Sequence, residues 1–169
     1  MRSLTPVFVC AVGLTCATFA CGGDAAPEST VSTPAAQPQR GGGSIDACTL
    51  VTNAEADQAL GAPSKQERPA EANHPPHLMA CRYTAERGQG LAVLTILVRT
   101  GYSETEAKGT FEGTRDLGKT EPVSGLGDQA FWFADQLNVL KGLRSLTLTG
   151  DVRRSSAEEL ARKAADRLP

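Results

Sequence analysis

A two-layer α+β sandwich, with helices on one face of an antiparallel sheet of about five strands, is the fold predicted for residues 44–169. Two observations predict it. Three Ser/Thr-x-x-Glu capping boxes mark helix starts, because such a pair satisfies the backbone donors left free at a helix N-terminus. The strand-like runs between them follow one another across short turns, which makes hairpins and leaves no room for a βαβ crossover. The order reads α-ββ-α-βββ-α.

The first box, Thr52 with Glu55, opens a helix that runs through Leu60 and is stopped by Gly61, with Pro63 beyond. Met79, Cys81, Tyr83 and Ala85 then alternate with Ala80, Arg82 and Thr84, the period of a half-buried strand. A turn over residues 86–90 leads to Leu91–Val98, which is apolar on nearly both faces and so belongs in the middle of the sheet. Ser103 with Glu106 opens a second helix, weakened by Gly109 and Gly113 at about 1 kcal/mol each. Gln129–Ala134, Leu137–Lys141 and Leu143–Thr149 form a meander, with Asp135-Gln136 and Lys141-Gly142 as the turn residues. Ser156 with Glu159 opens the last helix, where Leu160, Ala164 and Leu168 share one face.

Ahead of this domain, residues 7–20 form an apolar run of 14 behind the single basic residue Arg2. A spanning helix needs about 20 apolar residues, so the run has the size of a signal-peptide core. The segment ending at Cys21 resembles a bacterial lipoprotein signal, in which the cysteine is lipidated and becomes the first mature residue. Ala20 fits the small residue before that cysteine; Thr18 stands where Leu is usual, and Phe19 is bulkier than usual. The expected division is a signal peptide over 1–20, a lipidated Cys21 with a tether over 21–43, and one globular domain over 44–169. The alternative is ordinary cleavage after Ala20 and release of a soluble secreted protein.

Cysteine number agrees with the lipidated reading. The chain has five cysteines, an odd count for an oxidising compartment. Cleavage removes Cys10 and Cys16, lipidation uses Cys21, and Cys48 and Cys81 remain as one disulfide pair, with two buried free thiols as the alternative. A bridge between them is worth about 3–4 kcal/mol in the chain-entropy model. Residues 22–43 are mostly Gly, Pro, Ser, Thr, Ala and Gln, with Val31 as the one large apolar residue, a composition that predicts a disordered tether. Its r.m.s. span as a flexible coil is roughly 25 Å. Two or three acyl chains on one cysteine make a stable anchor, where one would be marginal. Without Arg2, acidic residues exceed basic ones by three, and no basic cluster tracks phosphates, which argues against nucleic-acid partners.

Asp46-Ala-Cys48-Thr-Leu-Val-Thr52, Leu60-Gly61, Cys81-Arg82-Tyr83 and Val123-Ser-Gly-Leu-Gly-Asp-Gln-Ala130 together resemble a family of small envelope lipoproteins, common in actinobacteria, built on a single domain of unknown function. The resemblance covers residues 44–169. It implies a disulfide-bridged, non-catalytic extracytoplasmic domain and carries over no catalytic residue.

Four constellations invite a chemical reading. His74-Pro-Pro-His77-Leu-Met79-Ala-Cys81 gathers both histidines, a thioether and a thiol, ligand types for copper or zinc. Against it, the prolines mark a loop, Met79 and Cys81 face inward on a strand, and Cys81 has a partner in Cys48. Gly125-Leu-Gly127-Asp-Gln-Ala130 matches the G-x-G-x-x-A fingerprint, but a loop precedes it and a strand follows, so a structural role for the glycines and Asp128 is expected. Asp128, Asp135 and Asp151 stand near strand ends, where solvated turn aspartates are common; no G-x-S-x-G is present. Phe131, Trp132 and Phe133 are consecutive and so point to both faces of a strand. On a sheet open on one side, Trp132 or the Phe131/Phe133 pair would form an exposed aromatic patch, with Tyr83 and Arg99 on the same face.

The function expected from these readings is non-catalytic, with no cofactor: a lipid-anchored envelope domain that binds a protein partner or small ligand through the open sheet face. The alternative is a copper- or zinc-binding envelope lipoprotein using His74, His77 and Met79.

Overall fold

The computed structural model describes residues 45–70 and 77–169. The leader, Cys21, the tether and His74 lie outside the described residues. A 3₁₀ turn, Ala47–Thr49, leads into α1 (Asn53–Leu60), β1 (Ser64–Glu67), β2 (Leu78–Arg87), β3 (Gly90–Thr100), α2 (Glu104–Arg115), β4 (Thr120–Pro122), β5 (Gln129–Phe133), β6 (Gln136–Lys141), β7 (Arg144–Gly150) and α3 (Arg154–Arg167). The fold is α+β. Seven strands form one open antiparallel sheet in the order β1-β2-β3-β7-β6-β5-β4.

Seven strands replace the expected five. The two additions, Ser-Lys-Gln-Glu and Thr-Glu-Pro, are the edge strands β1 and β4 and contain no large apolar residue. Backbone pairing to one neighbour holds them, so no hydrophobic alternation announces them. Pro122 is tolerated at an edge because its missing N–H removes nothing from the ladder's inner side.

Helix starts follow the sequence in two cases of three. Thr52 caps α1 with the full reciprocal box to Glu55, and left-handed Gly61 ends it. Ser103 caps α2 by accepting from the Glu106 N–H, while Glu106 reaches back to the Tyr102 N–H instead of that of Ser103. The third box is unused. α3 begins two residues before Ser156, behind Arg153, with no side-chain cap. That earlier start brings Ala157 into the buried stripe with Leu160, Ala161, Ala164 and Ala165. The two meander turns also shift by one residue, to Ala134-Asp135 and Gly142-Leu143.

Helices sit on both faces, not on one. α1 and α3 pack side by side over the main core, built from Cys81, Tyr83 and Ala85 of β2, Leu94, Ile96 and Val98 of β3, and Leu137, Val139, Leu146 and Leu148 of β6 and β7. α2 lies on the opposite face, where Ala107 and Phe111 bury Phe131 and Leu140. The cause is in β5. Its Phe131 and Trp132 point to opposite sides, so that end of the sheet requires an apolar layer on each. β3 pairs with β2 and β7 near the centre, where its nearly continuous apolar run belongs.

The Cys48–Cys81 disulfide is formed, with Cα atoms 5.0 Å apart, and ties the 3₁₀ turn to β2. Among the described residues no helix is long and apolar enough to cross a membrane.

Candidate binding surfaces

The aromatic residues expected on an open face are almost entirely inside. Tyr83 is fully buried on the side of α1 and α3; its hydroxyl donates to the Val51 carbonyl at 2.5 Å and accepts from the Gln66 amide at 3.1 Å. Burial raises its pKa above the ordinary phenol value. Trp132 lies beneath α3, its indole N–H donating to Glu158 at 3.0 Å and its ring capped by the Arg154 guanidinium. Arg154 is held there by Glu121 of β4 at 2.6 Å, and this hydrogen bond lowers the Glu121 pKa. Phe131 stacks on Phe111 with centroids 4.7 Å apart, and Phe133 is half-buried beside them. The aromatic patch is therefore absent at these positions: each ring found a helix to cover it. Consecutive large rings on one strand signal two apolar layers more than an open surface.

An open half-face does exist, built from other residues. α2 shields β5 and β6 and reaches β7, and the described helices leave the same face of β2 and β3 uncovered. Register aligns its side chains in rows across the sheet: Arg82, Thr95 and Thr149; Ala80, Leu97 and Thr147; Leu78, Arg99 and Ser145; and Thr84 beside Val93. Thr95, Leu97, Arg99, Thr147 and Thr149 are half-buried, as expected of residues flanked within a sheet but not covered from above. Thr147 donates to Asn138 at 3.0 Å, and Asn138 marks where α2 begins to close the surface. Arg99 belongs to this surface but lies on the face opposite Tyr83, with which the sequence had grouped it. The rest of the row was legible in principle, since Val93, Thr95, Leu97 and Arg99 alternate with the uniformly apolar Ala92, Leu94, Ile96 and Val98.

The glycine motif before β5 has a structural task. Leu126 is buried, and Gly127, at φ 59°, runs so close to β6 that a Cβ would fall 2.4 Å from the Leu140 carbonyl. Asp128 donates its backbone N–H to that carbonyl at 2.7 Å, and its carboxylate accepts from the Gly142 N–H at 2.6 Å. The motif thus pins the start of β5 to the β6–β7 turn. Asp151 does the same for β3, accepting from the Val93 N–H at 2.9 Å.

The metal-ligand types are not drawn together. Cys81 is spent in the disulfide, Met79 packs against the main core, and His77 stacks on the exposed Tyr102. Among the described residues no group of three His, Cys, Asp or Glu side chains is placed to hold a metal ion.

A second concavity, of about 760 Å³, lies between the C-terminal end of α1 and the start of α3. Gln58, Leu60, Arg87, Val152, Arg153 and Ser156 line it, and no sequence motif marked them as a site. Compared with known proteins, the chain matches no family model, no curated protein and no solved structure.

Proposed function

We propose that this chain is a lipid-anchored, extracytoplasmic binding protein whose folded domain engages a protein partner or a small ligand, without catalysis, through the open half of its sheet. The carrying observation is the surface of β2 and β3 that the described helices leave uncovered, where Leu97 and Val93 sit among Thr84, Thr95 and the neighbouring Thr147 and Thr149 of β7. Flat, mixed surfaces of this kind suit recognition, since apolar contacts supply affinity and hydroxyls supply register. A disulfide that pairs Cys48 with Cys81 supports export, because such bonds persist in oxidising compartments. It also leaves Cys21 as the cysteine adjoining the polar stretch over 22–43, in keeping with the resemblance to small envelope lipoproteins.

Two measurements test the reading. Metabolic labelling with a fatty acid is expected to mark the wild-type chain and not Cys21→Ser; an unlabelled wild type means a secreted protein. A photo-crosslinking residue at Leu97 is expected to capture a discrete partner in cells that the same residue at Arg162, on the exposed side of α3, does not. Equal capture at both positions removes the open face from consideration.

A further inference from the structure

We propose that the cleft between α1 and α3 binds an oxyanion group, a phosphate or a carboxylate, through Arg87 and Arg153. This site is separate from the open sheet face, and its existence does not depend on the tether or on any partner there. Its volume of about 760 Å³ falls in the range of small-molecule pockets, which run roughly 300–1,000 Å³.

Two arginines line it from different elements, Arg87 at the end of β2 and Arg153 in the segment between β7 and α3. Neither has a carboxylate within ion-pair distance among the described residues, whereas Arg68, Arg154 and Arg167 do, in Asp46, Glu121 and Glu55. Arg87 makes one long hydrogen bond, 3.4 Å, to the Leu60 carbonyl, which steadies it on the α1 wall with its other N–H groups free to donate. The one acid on the cleft wall, Asp151, has one carboxylate oxygen accepting from the Val93 N–H and keeps its negative charge, which the two guanidinium groups outnumber. Gln58 and Ser156 add neutral donors, and Leu60 and Val152 supply apolar surface for the body of a ligand. Paired guanidinium forks match the planar or tetrahedral oxygens of carboxylates and phosphates better than point charges do. Because both arginines are exposed, the interaction weakens with salt.

The test titrates inorganic phosphate, glycerol phosphate and succinate into the whole chain at constant ionic strength set with chloride, following backbone amide shifts. Saturable shifts at Gly61, Arg87, Arg153 and Ser156 are expected. The Arg87→Gln/Arg153→Gln protein should bind at least about tenfold more weakly, and Arg162→Gln, on the exposed side of α3, should bind normally. Ser156→Glu, which adds a carboxylate to the wall, should abolish binding and decides the matter if the double variant fails to fold. A parallel arm sediments the chain with phosphatidylglycerol vesicles. Arg87/Arg153-dependent sedimentation without a glycerol phosphate response assigns the oxyanion to a lipid headgroup; the reverse assigns it to a soluble molecule. No saturable response in either arm, or responses unchanged in Arg87→Gln/Arg153→Gln and Ser156→Glu, overturns the proposal.

Discussion

Arg167 grips Glu55 with both terminal nitrogens, each 2.7 Å from a carboxylate oxygen, and so joins the last turn of α3 to the first turn of α1 across 112 residues. One of those nitrogens also donates to the Leu50 carbonyl at 2.7 Å. Glu55 further accepts from the Thr52 N–H and hydroxyl, so a single carboxylate caps one helix and anchors another.

That pairing predicts a pH dependence. The Arg167 hydrogen bonds hold the Glu55 pKa down, from 4.5 to about 2. A depressed carboxylate pKa contributes stability that is full above the unfolded value and is lost as pH falls through the folded one. Glu55→Gln should therefore cost roughly 1–3 kcal/mol at neutral pH and progressively less between about pH 4.5 and 2. Urea midpoints of both proteins across that interval check it; a constant gap would show that the ion pair is not the source.

Removing the Cys48–Cys81 bridge frees a loop with a sequence separation of 33. The Cys48→Ala/Cys81→Ala protein should lose about 3–4 kcal/mol, read as a lower denaturation midpoint, and reduction of the wild type should reproduce the loss.

Gly125 and Gly127 both have positive φ, but only Gly127 touches a neighbouring strand. Gly125→Ala should cost about 1 kcal/mol, the ordinary left-handed penalty. Gly127→Ala must also displace the Leu140 carbonyl or Val139, so a loss of at least about 2–3 kcal/mol is expected by thermal or chemical melting. Equal effects would mean that the close approach does not matter.

The layer under α2 is small: Ala107, Phe111, Phe131 and Leu140, with Phe133 alongside. Phe111→Ala should leave a cavity and cost about 3 kcal/mol or more. Because α2 shares no core cluster with α1 and α3, amide exchange should accelerate throughout Glu104–Arg115 while α1 and α3 keep their protection against local opening. Uniform acceleration across all three helices would show instead that the domain opens as one unit.

Much of this architecture was written locally. The Thr52/Glu55 box and Gly61 bound α1 to the residue, the alternation through Cys81 and Tyr83 set the inward face of β2, and the apolar run after Gly90 made β3 central. Trp132 shows where local reading stops. Its position on β5 required that it and Phe131 oppose each other, but the covering helix was contributed by a segment 22 residues later for Trp132 and about 20 earlier for Phe131.

The helices, the central hairpins and the α+β class were thus legible in the chain alone, because capping, alternation and turn chemistry act between near neighbours. The two edge strands, the side chosen by α2, the start of α3 and the cleft between α1 and α3 emerge from long-range packing. β1 and β4 exist through backbone pairing with a strand already in place, which leaves no side-chain pattern to read. The placement of α2 and α3, and with it which surfaces stay open, follows from matching apolar areas far apart in the chain, a balance that no short window of residues contains.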